Sequence, residues 1–304
     1  MSDTHQHLPP SKLMRLATYA AMASAAILVT VKAVVYFDSN SVALLSSLAD
    51  SALDLFASAL TFLAVRVALT PADADHSFGH GKAEPLSALG QSAFIGGSAV
   101  LVMVEGVSRL HSPAPTQDNT AGILVMIAAS VVTTLLVALQ RYVIRQSGSM
   151  AISADSLHYT GDLLMNVSVI AALFLSSYFG LPWIDPFFGI GISVFMLVNA
   201  ARLATQAVRS LMDQELPEAD RRRITDVALQ HPKVKRVHEL RTRTSGLQKF
   251  IQMHLVLDPA LSLLEAHRIT DDVEKAVESE FPGADIIIHQ DPDGIAEYHQ
   301  PVGA

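Results

Sequence analysis

Six stretches between residues 1 and 211 run apolar for long enough to cross a bilayer: about 14–36, 42–69, 84–110, 120–144, 152–178 and 187–211. A hydrocarbon layer about 30 Å thick needs roughly 20 helical residues. Inside it a chain must pair its own backbone groups, and an α-helix does that within one segment. The links between the runs are polar or rich in turn formers: DSNS at 38–41, the stretch from Pro71 to Lys82, HSPAPTQDN at 111–119, RQSGS at 145–149 and FGLPWIDP at 179–186. The first 211 residues are therefore expected to be a bundle of six transmembrane helices. The polar start, MSDTHQHLPPSKLMR, leads into a full-length span and does not read as a cleaved signal.

Charge is sparse and uneven. Only 16% of the 304 residues are Asp, Glu, Lys or Arg, against about 25% in a soluble domain. Most of that charge lies after residue 211, so residues 212–304 are expected to form a separate soluble domain. The net charge of −8 and the lack of a basic stripe argue against a nucleic-acid partner. There is no cysteine; a metal site has to use His, Asp or Glu.

The basic residues near the span ends orient the bundle. Lys12, Arg15, Arg66, Lys82, Arg141, Arg145, Arg202 and Arg209 fall on one side, and Arg109 with Lys32 on the other. The positive-inside rule places the first side, both termini and the soluble domain in the cytoplasm, and Trp183 at the outer interface.

The second run contains LLSSLADSALDLFASAL, with Asp50 and Asp54 inside it. An aspartate at mid-bilayer costs of order ~3 kcal/mol to insert. The two are one helical turn apart and share a face. On the fifth run, SADSLHYTGDLLMNVSV repeats that spacing with His158 and Asp162. Two helices that each offer two ligands one turn apart can enclose a cation between them. Three carboxylates and one imidazole, close to tetrahedral, suit Zn²⁺ and accept other divalent transition metals. Internal ion pairing in a packed bundle is the plainer reading, and two i,i+4 pairs with a histidine in one of them weigh against it. Asp155 lies on another face and is left out of the site. Ser51 and Asn166 are expected to hydrogen-bond between helices.

Two further groups stay open on spacing alone. In PADADHSFGHGKAEP, Asp73, His76 and His80 surround a glycine-containing turn, as a metal site or as ordinary surface histidines. After the last span, PEADRRRITDVALQ has helical spacing. VKRVHELRTRTSG and KFIQMHLVLDP alternate like paired strands across a turn at Ser245–Gly246. SLLEAHRITDDVEKAVESEF is an amphipathic helix, and ADIIIHQDP a last strand. The order αββαβ implies an open-faced α/β sandwich, a small form that often dimerises. It carries His231, His238, His254, His267, His289 and Asp291. Adjacent strands can bring His254 and His289 together; scattered surface histidine is the other reading.

DSALD on the second span, HSFGHGKAEPLSAL after it and HYTGD on the fifth resemble the cation diffusion facilitators. Within them the chain is most similar to the bacterial homodimeric branch of zinc transporters, also called ferrous-iron efflux pumps. The resemblance covers nearly the whole chain. It implies a homodimer in the bacterial inner membrane that exports divalent metal from the cytoplasm in exchange for protons, with zinc first and cadmium or ferrous iron as alternatives. It carries the transport site onto Asp50, Asp54, His158 and Asp162, and one loop zinc onto Asp73, His76 and His80. It assigns a two-metal site to His238, His254, His267 and His289, with Asp291 bridging, and pairs Lys82 with Asp213 at the membrane–cytoplasm junction. His231 matches nothing. Metal binding requires deprotonated ligands, so an inward proton gradient would drive release outside, with helices two and five moving together. Spans three and six, with small residues in IGGSA and GIGIS, are the expected dimer contact. An intramembrane metalloprotease is disfavoured: no HExxH motif is present. A metal receptor that transports nothing would have no need of paired charges at mid-membrane.

Overall fold

The computed structural model describes residues 8–39, 42–111, 120–179 and 183–295. The expected links at 112–119 and 180–182, residues 40–41 of the first link and the polar start 1–7 lie outside the described residues. The chain divides into two compact units, 1–208 and 209–304.

Among the described residues, six long helices make up the first unit, the last running on to Leu211: α1 (Pro10–Ser39), α2 (Val42–Ala68), α3 (Ala83–His111), α4 (Thr120–Ser147), α5 (Met150–Phe179) and α6 (Ile184–Leu211). Several extend beyond the apolar runs, because a helix has no reason to stop where the hydrophobic stretch does. Proline marks two starts, Pro10 on α1 and Pro186 in the first turn of α6, where its missing N–H costs nothing. Between α4 and α5, Gly148 adopts φ 65° and donates its N–H to Ile144, a left-handed stop that a side chain would resist. Ser149 then accepts from the Ile152 amide at 3.3 Å, as a cap does. Its hydroxyl donates to the buried Glu84 carboxylate, which fastens the start of α3 to the α4–α5 turn.

Among the described residues, five of the six helices are long and apolar enough to cross a membrane: α1, α2, α3, α4 and α6. The described part of α5, 30 residues long, carries Asp155, His158 and Asp162 in its first half. The bundle is held by small apolar clusters. Met14, Ala17, Val65, Val143 and Ile152 join α1, α2, α4 and α5. Ala88, Ala154, Leu203 and Ala207 join α3, α5 and α6. Large apolar side chains face outward, among them Phe37, Leu101 and Leu135, in keeping with a lipid solvent and not with water.

The second unit follows the order read from the sequence. Helix α7 (Glu218–Leu229) leads to β1 (Arg236–Ser245) and β2 (Gln248–Leu257), then α8 (Leu263–Glu280) and β3 (Asp285–Pro292). The turn falls after Ser245, where Gly246 has φ 60°. Strands β1 and β2 are antiparallel, and β3 joins β2 in parallel. Ile251, Met253, Leu255 and Leu257 of β2 alternate onto one face and bury themselves with Ile224, Val227, Ile269, Val273 and Val277 of the two helices. The opposite face of the sheet carries the histidines. Helix α8 opens with a capping box, Ser262 and Glu265 bonding each other reciprocally.

Candidate metal centres

Helices α2 and α5 meet at their charged residues. His158 Nε2 is 3.0 Å from Asp54 Oδ1 and 3.7 Å from Asp162 Oδ2. Asp54, His158 and Asp162 each offer a ligand atom, all within 4.8 Å of one another. Asp162 Oδ2 is enclosed and makes no hydrogen bond among the described residues, which leaves a lone pair aimed into the group. The histidine, Gly161 and Asp162 line a cavity of about 90 Å³ between α3, α5 and α6, walled by Ile95, Met165 and Met196. Asp50 is not drawn in: it lies one turn earlier on α2 and is exposed. Of the four residues read as transport ligands, the structure gathers three.

Asp155 is buried apart from this group. Its carboxylate accepts from Ser58 Oγ at 3.2 Å and Gln140 Nε2 at 2.6 Å, and Ser58 also meets the Tyr159 hydroxyl at 2.8 Å. Neutral donors from α2 and α4 thus hold it. Ser51, expected to bond between helices, accepts from Lys32 Nζ of α1 at 2.6 Å. Asn166 is half-buried on α5.

The link between α2 and α3 folds around Asp73. Its Oδ1 accepts the amide N–H groups of His76 and Asp75 at 2.7 and 3.0 Å. Those amides, the His76 one foremost, hold its carboxyl below the usual aspartate range. His76 Nδ1 lies 3.3 Å and His80 Nε2 3.4 Å from the carboxylate. The two ring centroids lie 4.4 Å apart, with the rings tilted by 44°. Gly79, at φ 74°, supplies the left-handed residue that brings His80 back. All three side chains fall within ligand distance of one another, and His80 Nδ1 is buried without a hydrogen-bond partner among the described residues.

In the second unit the register does the positioning. His238 of β1 pairs with His254 of β2, and His254 with His289 of β3, so three imidazoles form one row across the open face. A bulge between His238 and Arg241, with Glu239 at φ 46°, sets that alignment. Asp291 is 4% exposed and sits in the middle: His254 Nδ1 at 2.8 Å, His238 Nε2 at 3.1 Å and His289 Nε2 at 3.1 Å. His238, His254 and Asp291 have a common ligand distance. The bulge also turns Glu239 to within 3.8 Å of His254, a neighbour that alternation alone does not reveal. His267 stays outside, exposed on α8 and 3.6 Å from Asp271. His231 is half-buried and 3.9 Å from Asp272. Asp213 meets Arg243 within its own unit at 3.4 Å.

Residues 18–212 match the family model described as the cation efflux transmembrane domain, and residues 216–293 that of the cation efflux protein cytoplasmic domain. The cation-efflux pump FieF of Serratia proteamaculans is 46% identical over 282 residues, 93% of this chain and 94% of the relative. FieF of Escherichia fergusonii is 46% identical over 281 residues, 92% of this chain and 93% of the relative. A solved chain of CzrB in its Zn form aligns at 33% identity, covering 28% of this chain and 98% of that one, with a TM-score of 0.27.

Proposed function

The chain belongs to the cation efflux family, and from that premise we propose that it exports divalent transition metal from the cytoplasm in exchange for protons, binding one ion between α2 and α5. Zinc is the proposed cargo; cadmium and ferrous iron are the alternatives that the same donors accept. One observation carries this reading: Asp54, His158 and Asp162 converge within 4.8 Å across two helices of a membrane bundle. Asp50 is the fourth ligand, one turn along the face of Asp54, and closes on the ion from its exposed position. The membrane unit is read as 1–211 and the metal-binding α/β unit as 212–304.

The chemistry follows from the donor set. Each ligand must be unprotonated to bind metal, so loading from the cytoplasm sheds protons. When the site faces outward, protons compete for the imidazole and the carboxylates and the cargo leaves. Asp54 on α2 and His158 with Asp162 on α5 hold the two helices to one ion, so they rock together. Both termini are cytoplasmic in this reading, in a bacterial inner membrane, and the protein works as a homodimer with α3 and α6 in its contact.

Two resident metal centres support the transporter. Asp73, His76 and His80 fit a single zinc, since each offers a ligand atom within 4.8 Å of the others and both imidazoles already face the carboxylate. Zinc there would cross-link the loop and hold its shape. His238, His254 and His289 surround Asp291, a carboxylate suited to bridging two ions, and His267 is assigned to the same centre. Metal bound there would join subunits and bias the membrane unit. The pair of Lys82 with Asp213 belongs to the same proposal.

The test is ion flux in proteoliposomes with zinc, cadmium and ferrous iron under an imposed pH gradient. Gradient-dependent zinc movement that is lost in Asp54→Ala is the expected result. Zinc flux indifferent to the gradient would remove proton coupling, and undiminished flux in Asp54→Ala would remove the site.

A further inference from the structure

Lys32 is the cation that the transport site already has. It lies within α1, on a run apolar enough to span a membrane, where an ammonium is retained only with partners or a task. Counted at 1.5 Å per residue from the facing ends of α1 and α2, Ser39 and Val42, Lys32 and Asp50 both lie ~11 Å into their helices. The two helices pack together, so the ammonium reaches the level of the first aspartate. There Nζ donates to Ser51 Oγ at 2.6 Å. Ser51 is 1% exposed and adjoins Asp50 in sequence. Lys32 is also an electrostatic neighbour of both Asp50 and Asp162.

We propose that Lys32 tunes the transport site: its ammonium, seated on Ser51, offsets part of the carboxylates' charge and keeps divalent metal from binding too tightly to be released. This rests on the assignment of the central site made above. A charge that never leaves repels the cargo in every conformation. An exporter needs that, because a site of three carboxylates and an imidazole would otherwise release slowly. Lysine carries its charge as a compact point on a flexible stem, so the effect depends on where that charge sits. Being electrostatic, it acts alike on zinc and cadmium.

The experiment measures zinc and cadmium binding calorimetrically in the full chain bearing Asp73→Ala and Asp291→Ala, which weakens the other two centres, and assigns to the central group the component that Asp162→Ala removes. Asp162→Ala in that background comes first: unchanged binding there would refute the central site itself, independently of Lys32. With the site verified, Lys32→Gln should tighten both metals on the order of tenfold, and Lys32→Arg should leave them near the parent value. In flux assays Lys32→Gln should lower KM and kcat together, since tight binding slows release. Binding that is unchanged or weaker in a folded Lys32→Gln dimer would overturn the proposal. If Lys32→Gln does not assemble, Lys32→Met, which removes the same charge and keeps the length of the side chain, reads the same question. Tighter binding there supports the proposal, and parent-like binding overturns it.

Discussion

Asp50 and Asp54 have the same charge, helix and face, yet only Asp54 shares a ligand distance with His158 and Asp162. The i,i+4 spacing was readable in the sequence because helix geometry fixes it. Which of two aspartates engages His158 depends on how α2 lies against α5, and no local pattern encodes that. As the proposed fourth ligand, Asp50 would contribute an oxygen where a histidine would contribute nitrogen. Zinc takes imidazole readily in small tetrahedral sites, while cadmium, being larger, gains more from a carboxylate that binds through both oxygens. Asp50→His should therefore raise the zinc-to-cadmium flux ratio several-fold, as paired flux measurements would show; an unaltered ratio would mean that geometry sets selectivity. Asp73 makes a second residue-scale case. Its folded pKa is depressed by the amides it accepts from, His76 first. The contribution to the turn is therefore present above the unfolded aspartate value of about 3.9 and lost as pH falls through the lower folded value. An NMR titration of the Asp73 carboxyl carbon in the metal-free protein should show a midpoint below ~3.9. A midpoint at or above that value would mean the turn does not hold the carboxylate.

At the scale of elements, two glycines record how closely helices approach. A Cβ on Gly161 would lie 2.5 Å from Met196 Cε, the mobile end of a flexible side chain on α6. A Cβ on Gly106 would lie 2.9 Å from Ile190 Cγ1 and 3.3 Å from the Pro186 carbonyl oxygen. Met196 can swing away, whereas a branched side chain backed by main chain cannot. Gly106→Ala should thus cost about 1–3 kcal/mol of stability, and Gly161→Ala markedly less; thermal unfolding in detergent would rank them, and the reverse order would show that α3 and α6 yield more easily than their contact suggests. Neither glycine stood out in the sequence. The small residues that did, Gly96 with Gly97 and Gly189 with Gly191, face open space within the chain. Order and pairing in the sheet were legible because alternation marks strands and Gly246 marks the turn. The histidine row was only half legible. Spacing put His254 and His289 on neighbouring strands, but His238 joins them through a bulge at Glu239, whose φ of 46° nothing in the local residue pattern announces. His267 could be placed on a helix but not relative to the row, since its direction depends on how α8 is rotated over the sheet.

For the whole molecule, the division at residues 208–209 has an energetic meaning. The second unit buries its own core, with Ile224, Ile251, Leu255 and Val277 all at 0% exposure. Its outer elements are clamped by Arg223 to Glu280 at 2.5 Å, joining α7 to α8, and by Lys235 to Asp293 at 2.8 Å. Exposed pairs of this kind contribute little each, so stability lies in the core, and the core is complete without the membrane unit. A fragment of residues 209–304 should therefore fold by itself and bind metal. Asp291 is the residue on which three of its histidines converge, so Asp291→Ala leaves His238 and His254 with no carboxylate between them and exposes two imidazoles to each other. The fragment should then bind fewer zinc ions per chain and dimerise more weakly in the presence of zinc. In the full chain the same substitution should slow zinc flux several-fold without abolishing it, because Asp54, His158 and Asp162 lie in the other unit and keep their geometry. Native mass spectrometry of the fragment counts the metals, sedimentation with and without zinc reads the association, and proteoliposome flux completes the comparison. An unchanged zinc count in Asp291→Ala would rule out the bridging role, and flux lost altogether would mean that the second unit is part of the transport cycle and not a regulator of it.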